Sequence, residues 1–172
     1  MNKVVFLDRD GTINVDYGYV YKIDDFHFID GAIEALRELN QLGYLLIVIS
    51  NQSGIARGYY TLEDANLIFD YMVNTLKEEG VKIQKYYYCP HSDQDHCTCR
   101  KPKLGLFKEA IQEFDIDLTK SYAIGDKVRD LSICDVSDVT GILLDENKNT
   151  ESTGYIRKKN LLDAVKYIKE NS

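Results

Sequence analysis

No uninterrupted apolar run in the chain approaches the roughly 18 residues that a membrane-spanning helix requires. Positive charge is also in short supply. There are 21 Lys and Arg against 28 Asp and Glu, a net charge of −7, which argues against a general nucleic-acid or membrane-surface binder. No internal repeat is visible, and the amino terminus meets Asp8 too early for a secretory signal. A cytoplasmic location is expected by default.

What remains suits a folded globular chain. Its 172 residues, 44% of them hydrophobic, are enough for one domain spanning 1–172 with a sizeable core. Strand-like runs fall at Lys3–Leu7, Tyr44–Ile49, Lys85–Tyr88, Ser121–Ile124 and Gly141–Leu144. Helical patterns lie between them. Ala32, Ile33, Leu36, Leu39 and Leu42 recur at helical spacing, with Asp30 placed to cap the start and Gly43 placed to stop it. Thr61-x-x-Asp64 resembles a capping box opening a second helix that runs to Gly80. Leu104–Phe114, Val128–Val136 and Asn160–Glu170 read as three more, and Asp145–Tyr155 as a surface loop. Alternation of this kind predicts an α/β fold, a three-layer, Rossmann-like parallel sheet with right-handed crossovers.

In such a sheet, ligands bind beyond the carboxyl ends of the strands, and four of those ends carry polar residues. The first apolar run ends in Asp8-Arg9-Asp10-Gly11-Thr12, the second in Ser50-Asn51-Gln52-Ser53-Gly54. The third leads through a cysteine-rich loop to Arg100-Lys101-Pro102, and the fourth ends in Gly125-Asp126-Lys127. Any one of these is more often a turn than a site. Together, each after a strand, they assemble three carboxylates, a hydroxyl and a lysine in one crevice. That set suits phosphoryl transfer: a carboxylate attacks phosphorus to give an acyl phosphate that water later hydrolyses. Mg²⁺ lets anionic Asp8 approach an anionic phosphate, while Ser50 and Lys101 donate to the equatorial oxygens.

The cysteine-rich loop reads Cys89-x-His91-x5-Cys97-x-Cys99. Three sulfurs and one imidazole suit a closed, structural Zn²⁺ site that stiffens the segment presenting Arg100 and Lys101. Free thiols, or a disulfide between Cys97 and Cys99, are the alternatives, and His96 is a rival to His91. Cys134 reads as a buried apolar residue, and His27 lies outside every motif.

The segments D-R-D-G-T at 8–12, Ser50, Lys101 and G-D at 125–126 resemble the four motifs of the haloacid dehalogenase superfamily of phosphatases, and the first continues as D-R-D-G-T-I-N at 8–14. With D-Y-G-Y-V at 16–20, N-Q-S-G-I-A-R-G at 51–58, C-P-H at 89–91, C-x-C-R-K-P at 97–102 and G-D-K at 125–127, the chain is similar to the D-glycero-D-manno-heptose 1,7-bisphosphate phosphatases from Lys3 to about Leu144. The resemblance implies a nucleophile at Asp8, a general acid/base at Asp10, and Mg²⁺ held by Asp8, Asp126 and the backbone carbonyl of Asp10. It assigns phosphoryl stabilisation to Ser50 and Lys101 and substrate recognition to Arg100. Asp16, Tyr17, Gly18, Tyr19, Asn51, Gln52, Ser53 and Lys127 would contact the substrate.

The implied reaction removes the C7 phosphate of a sugar bisphosphate during synthesis of nucleotide-activated heptose for bacterial surface polysaccharides such as lipopolysaccharide. The implied enzyme is a monomer with a small-molecule substrate and no nucleic-acid or membrane partner. About twenty residues separate Asp10 from the helix near Asp30, too few for a separate cap domain, so a capless, open site is expected. Arg57 is a further candidate for the second phosphate. Among thirteen tyrosines, the group at Tyr17, Tyr19, Tyr21, Tyr59 and Tyr60 reads as packing of the segment above the site. One departure stands out: Lys103-Leu104-Gly105-Leu106 replaces the frequent x-P-G-M. The related histidinol-phosphate phosphatases share the zinc loop and can read R-K-P-K, which keeps histidinol phosphate as the alternative substrate. A polynucleotide end phosphatase and a catalytically silent zinc-stabilised binding module are the remaining alternatives.

Overall fold

The computed structural model describes residues 1–145 and 154–172. Most of the loop expected at Asp145–Tyr155 therefore lies outside the described residues. Six strands, β1 (Val4–Leu7), β2 (Leu45–Asn51), β3 (Lys85–Cys89), β4 (Tyr122–Gly125), β5 (Thr140–Leu144) and β6 (Ile156–Lys158), form one sheet in the order β3-β2-β1-β4-β5-β6. Every pairing is parallel, with Leu7 opposite both Val48 and Ile124. The helices are α1 (Ala32–Gln41), α2 (Leu62–Glu78), α3 (Gly105–Glu113) and α4 (Leu161–Asn171).

The three layers follow from side-chain alternation along the strands. Val5, Leu7, Leu46, Val48 and Ile124 meet α1, α2 and α4 through Leu36, Leu39, Phe69, Met72, Val165 and Ile168. Val4, Phe6, Ile47, Ile49 and Ala123 face the other way, onto Leu106, Phe107 and Ala110 of α3 and onto Leu131 and Ile133. β1 is buried along its whole length, as a central parallel strand should be.

Three local expectations change. The start of α1 is capped by no side chain: Gly31 occupies the cap in a left-handed conformation (φ 82°), which turns Asp30 away from the first N–H groups. Glycine is needed there because a Cβ would lie 2.4 Å from the Leu162 side chain. The element at Val128–Asp135 is a 3₁₀ helix, not an α-helix. Its three-residue repeat puts Asp130 and Ile133 on one buried line. Cys134, on the same element, is half-buried at the edge of the core rather than buried. β6, with only three residues, was too short to show a period. The capping box at Thr61 and Asp64 is present as expected, with bonds of 3.1 and 3.0 Å.

Phe107 joins α3 to the sheet, edge-on to Phe6 with ring centroids 5.3 Å apart. Phe107→Ala is expected to cost about 3–5 kcal/mol, read as a lower midpoint in urea unfolding.

Candidate active site

The chain order reverses between β1 and β4, the switch point at which open parallel sheets bind ligands. Asp8 leaves β1 there, its N–H donating to the carbonyl of Ile124 at 3.2 Å. The chain then turns sharply: the N–H groups of Thr12, Ile13 and Asn14 all donate to the carbonyl of Arg9, at 3.2, 2.8 and 3.3 Å. Gly11 permits the turn with φ 86°. A Cβ on it would sit 2.2 Å from Oδ2 of Asp126, so the bare backbone makes room for the carboxylate that follows β4.

Carboxylate oxygens of Asp8, Asp126 and Asp130 lie within 4.8 Å of one another. Lys101 enters this cluster 2% exposed and donates to Asp130 at 2.8 Å, to Asp8 at 3.1 Å and to the carbonyl of Ile49 at 2.5 Å. Asn51 grips the lysine's main chain from both sides, accepting from its N–H (2.9 Å) and donating to its carbonyl (3.1 Å). Burial alone would lower the Lys101 pKa, but Asp8 and Asp130 outweigh it and hold the ammonium above its ordinary range. Burial raises Asp8 well above the usual carboxylate range, and Asp130 adds to the rise against the pull of Lys101. Asp126 is raised for the same two reasons, burial first and Asp130 second. One lysine is too little charge for three acids. The buried Oδ1 of Asp126, which has no hydrogen-bond partner, together with an all-oxygen donor set, fits a hard divalent cation.

Asp10 turns the other way. Its carboxylate accepts from Arg9, from Asn14 (2.9 Å) and from Gln52 (3.1 Å). Gln52 also donates to Ser50 Oγ at 2.8 Å and accepts from the Tyr60 hydroxyl at 2.5 Å. Ser50 is only 1% exposed and sits behind Gln52.

A cleft of about 320 Å³ opens above these groups. It gathers Asp8, Asp10, Lys101 and Asp126, the flap residues Asp16, Gly18 and Tyr19, the second loop Asn51–Ser53, and Arg100 and Lys127. Tyr17 is absent from the lining: it is 62% exposed and edge-on to His27. Arg57 is exposed and does not line the cleft either. Tyr60, Arg129 and Asp130 do line it, and sequence reasoning missed all three. Asp130 carried a usable signal, since it stands four residues after Asp126 in the same strand-end segment.

Beside the cleft, Cys89, His91, Cys97 and Cys99 converge with ligand atoms within 4.8 Å of one another. Nδ1 of His91 is 3.4 Å from Cys89 and 3.3 Å from Cys99. His96 is left exposed, in a left-handed conformation. All four cysteines of the chain are free thiols. Burial would raise Cys97, but the main-chain N–H groups of Arg100 and Cys99 outweigh it and bring the thiol down to about 6; burial raises Cys89 and Cys99, so a bound ion must displace their protons. The loop steers Arg100 through Asp93, 2.6 Å from its Nε.

A family profile for polynucleotide kinase 3 phosphatase matches residues 3–152. A Haemophilus influenzae D-glycero-beta-D-manno-heptose-1,7-bisphosphate 7-phosphatase is 51% identical over 76% of the chain and 74% of that protein. The D-glycero-alpha-D-manno-heptose-1,7-bisphosphate 7-phosphatase of Campylobacter jejuni is 42% identical over 98% of the chain and 96% of its own length. The chain belongs to the heptose-1,7-bisphosphate 7-phosphatase family. A crystal structure of the D,D-heptose 1,7-bisphosphate phosphatase from B. bronchiseptica, complexed with magnesium and phosphate, superposes with a TM-score of 0.89 at 28% identity, covering 99% of both chains. The parallel sheet and its strand-end acids thus carry the haloacid dehalogenase fold expected from the motifs.

Without a cation the folded state raises the pKa values of Asp8 and Asp126. Groups raised in this way stabilise the fold below their unfolded values and lose that contribution as pH rises through the folded ones. Mg²⁺ must displace those protons. The rise in Tm on adding Mg²⁺ is therefore expected to be largest at mildly alkaline pH and to shrink toward pH 5, measured by thermal unfolding with and without the ion.

Proposed function

We propose that this enzyme hydrolyses the C7 phosphate of D-glycero-D-manno-heptose 1,7-bisphosphate, in the cytoplasm and as a monomer, to supply nucleotide-activated heptose for surface polysaccharide. The carrying observation is Lys101, buried between Asp8 and Asp130 at the switch point, with Asp10 held apart from that cluster. The family members from the two organisms above are heptose-1,7-bisphosphate 7-phosphatases, which favours that sugar over histidinol phosphate.

Asp8 and Asp126, with the main-chain carbonyl of Asp10, are the residues that would hold Mg²⁺; bound there, the ion neutralises charge on the transferring phosphoryl group. Asp8 attacks phosphorus, and the bond from phosphorus to the C7 oxygen breaks. Asp10 gives its proton to that departing oxygen. Lys101 and Ser50 are assigned to the equatorial oxygens, Ser50 once Gln52 yields its hydroxyl. Water then attacks phosphorus, Asp10 takes a proton from it, and Asp8 leaves as a carboxylate, releasing inorganic phosphate. Arg100, Lys127 and Arg129 supply the positive charge a second phosphate needs, and Asp16, Gly18, Tyr19, Asn51 and Ser53 frame the sugar. Cys89, His91, Cys97 and Cys99 would hold Zn²⁺, which would keep the loop carrying Arg100 and Lys101 in register.

Phosphate release from both anomers of the bisphosphate, from histidinol phosphate and from a 3′-phosphorylated oligonucleotide tests this reading. The heptose substrates are expected to give the highest kcat/KM and the oligonucleotide none, with all turnover lost in Asp8→Asn. A preference for histidinol phosphate would move the assignment to that alternative. Cys99→Ser is expected to lose bound zinc by elemental analysis and to lower kcat/KM by on the order of tenfold or more.

A further inference from the structure

Arg9 lies between the two acids of the first motif, and its side chain points away from the cleft. It is 0% exposed, the largest fully buried side chain among the described residues. Its guanidinium rests 4.6 Å from the ring of Phe69 and 6.0 Å from that of Phe26. Nη2 spans both oxygens of Asp10, at 2.9 and 3.0 Å, while Nε reaches Oδ1 at 3.2 Å. The same Nη2 donates to the carbonyl of Val20 at 2.8 Å, in the flap whose residues Asp16, Gly18 and Tyr19 line the cleft. Nη1 has no hydrogen-bond partner.

Packing alone does not explain this residue. An apolar side chain would fill the space between two phenylalanines without stranding an N–H group, and a buried ion pair gains little over well-packed hydrophobic residues. What an apolar side chain could not do is fix a carboxylate. Asp10 stands on a tight turn with its side chain 21% exposed; Asn14 and Gln52 each hold one of its oxygens, and Arg9 alone bridges both. The planar guanidinium is already ordered by the two rings, so it holds the carboxylate with little further loss of freedom. It also ties that carboxylate to the main chain of the flap.

We infer that Arg9 is a positioning residue for proton transfer, fixing the Asp10 carboxylate and linking its placement to the flap that touches the substrate. This rests on the acid/base role proposed for Asp10. Lysine at position 9 keeps the charge but lacks both the second donor, Nε, on Oδ1 of Asp10 and the planar group that the Phe69 ring orders, so it cannot fix the carboxylate's orientation.

The test is a double-mutant cycle on heptose bisphosphate hydrolysis with Mg²⁺ present. Arg9→Lys is expected to lower kcat by about 100-fold, within the range that general acid–base catalysis supplies, and to leave KM within about twofold. Added to Asp10→Asn, it is expected to cause no further loss in the residual single-turnover rate. A wild-type kcat in Arg9→Lys, or a further tenfold loss on top of Asp10→Asn, would overturn the inference while leaving the catalytic reading intact. Wild-type activity in Asp10→Asn itself would remove both. If Arg9→Lys does not fold, Phe69→Leu, which takes the ring from beneath the guanidinium, carries the same cycle with the same two outcomes at smaller amplitude.

Discussion

The site is governed by like-charge crowding. Asp8, Asp126 and Asp130 are brought within 4.8 Å of one another at the edge of the sheet, and water is largely excluded from two of them. Such a cluster is stable only with compensating positive charge. Lys101 provides one unit from inside the protein, and the raised pKa values of Asp8 and Asp126 mark what remains unbalanced. The same imbalance that strains the metal-free site gives it affinity for a divalent cation and, through the cation, for phosphate. Bare backbone at Gly11 and Gly125 lets these acids come so close: a Cβ would lie 2.2 Å from Asp126 at the first position and 2.4 Å from Asp130 at the second.

Delivering Lys101 to that spot is a long-range task. The residue lies far along the chain from Asp8, in a loop with almost no apolar content of its own, and three devices fix it. Asn51, at the end of β2, binds both polar groups of its peptide. The cysteine and histidine cluster ties off the loop before it, and Lys103 reaches back to the carbonyl of Cys97 just beyond it. Gly105, the one residue of this segment that keeps the frequent x-P-G-M pattern, packs against the carbonyl of Thr98, leaving no room for a side chain. The altered Lys103-Leu104-Gly105-Leu106 segment thus still closes against the loop.

Groups announced by local pattern were legible in the sequence. Strand runs ending in Asp8, Ser50 and Asp126 were visible because buried parallel strands are continuously apolar and stop abruptly. The capping box at Thr61 was visible because its chemistry is local. What was hidden depended on tertiary neighbours. Arg9 reads as a surface charge until Phe26 and Phe69 close over it. Asp130 reads as a helix residue until a 3₁₀ winding turns it inward. Asp30 has the right chemistry for a cap, but the chain enters α1 through a left-handed residue at Gly31. Tyr17 shares its motif with Tyr19, but Tyr17 packs on His27 and Tyr19 on Tyr59.

The division of labour along the sheet edge has an evolutionary consequence. In the proposed mechanism the attacking and proton-transferring acids stand at the end of β1, fixed by the core, and Lys101 is brought to them by a loop. The sugar would be met by the flap and by the part of that loop bearing Arg100, neither of which contributes a strand to the sheet. Either segment can change, so long as Lys101 keeps its place, without disturbing the register that brings Asp8 to Asp126. A lineage built on this scaffold can change what it dephosphorylates by drifting in two short surface segments while its reaction stays the same.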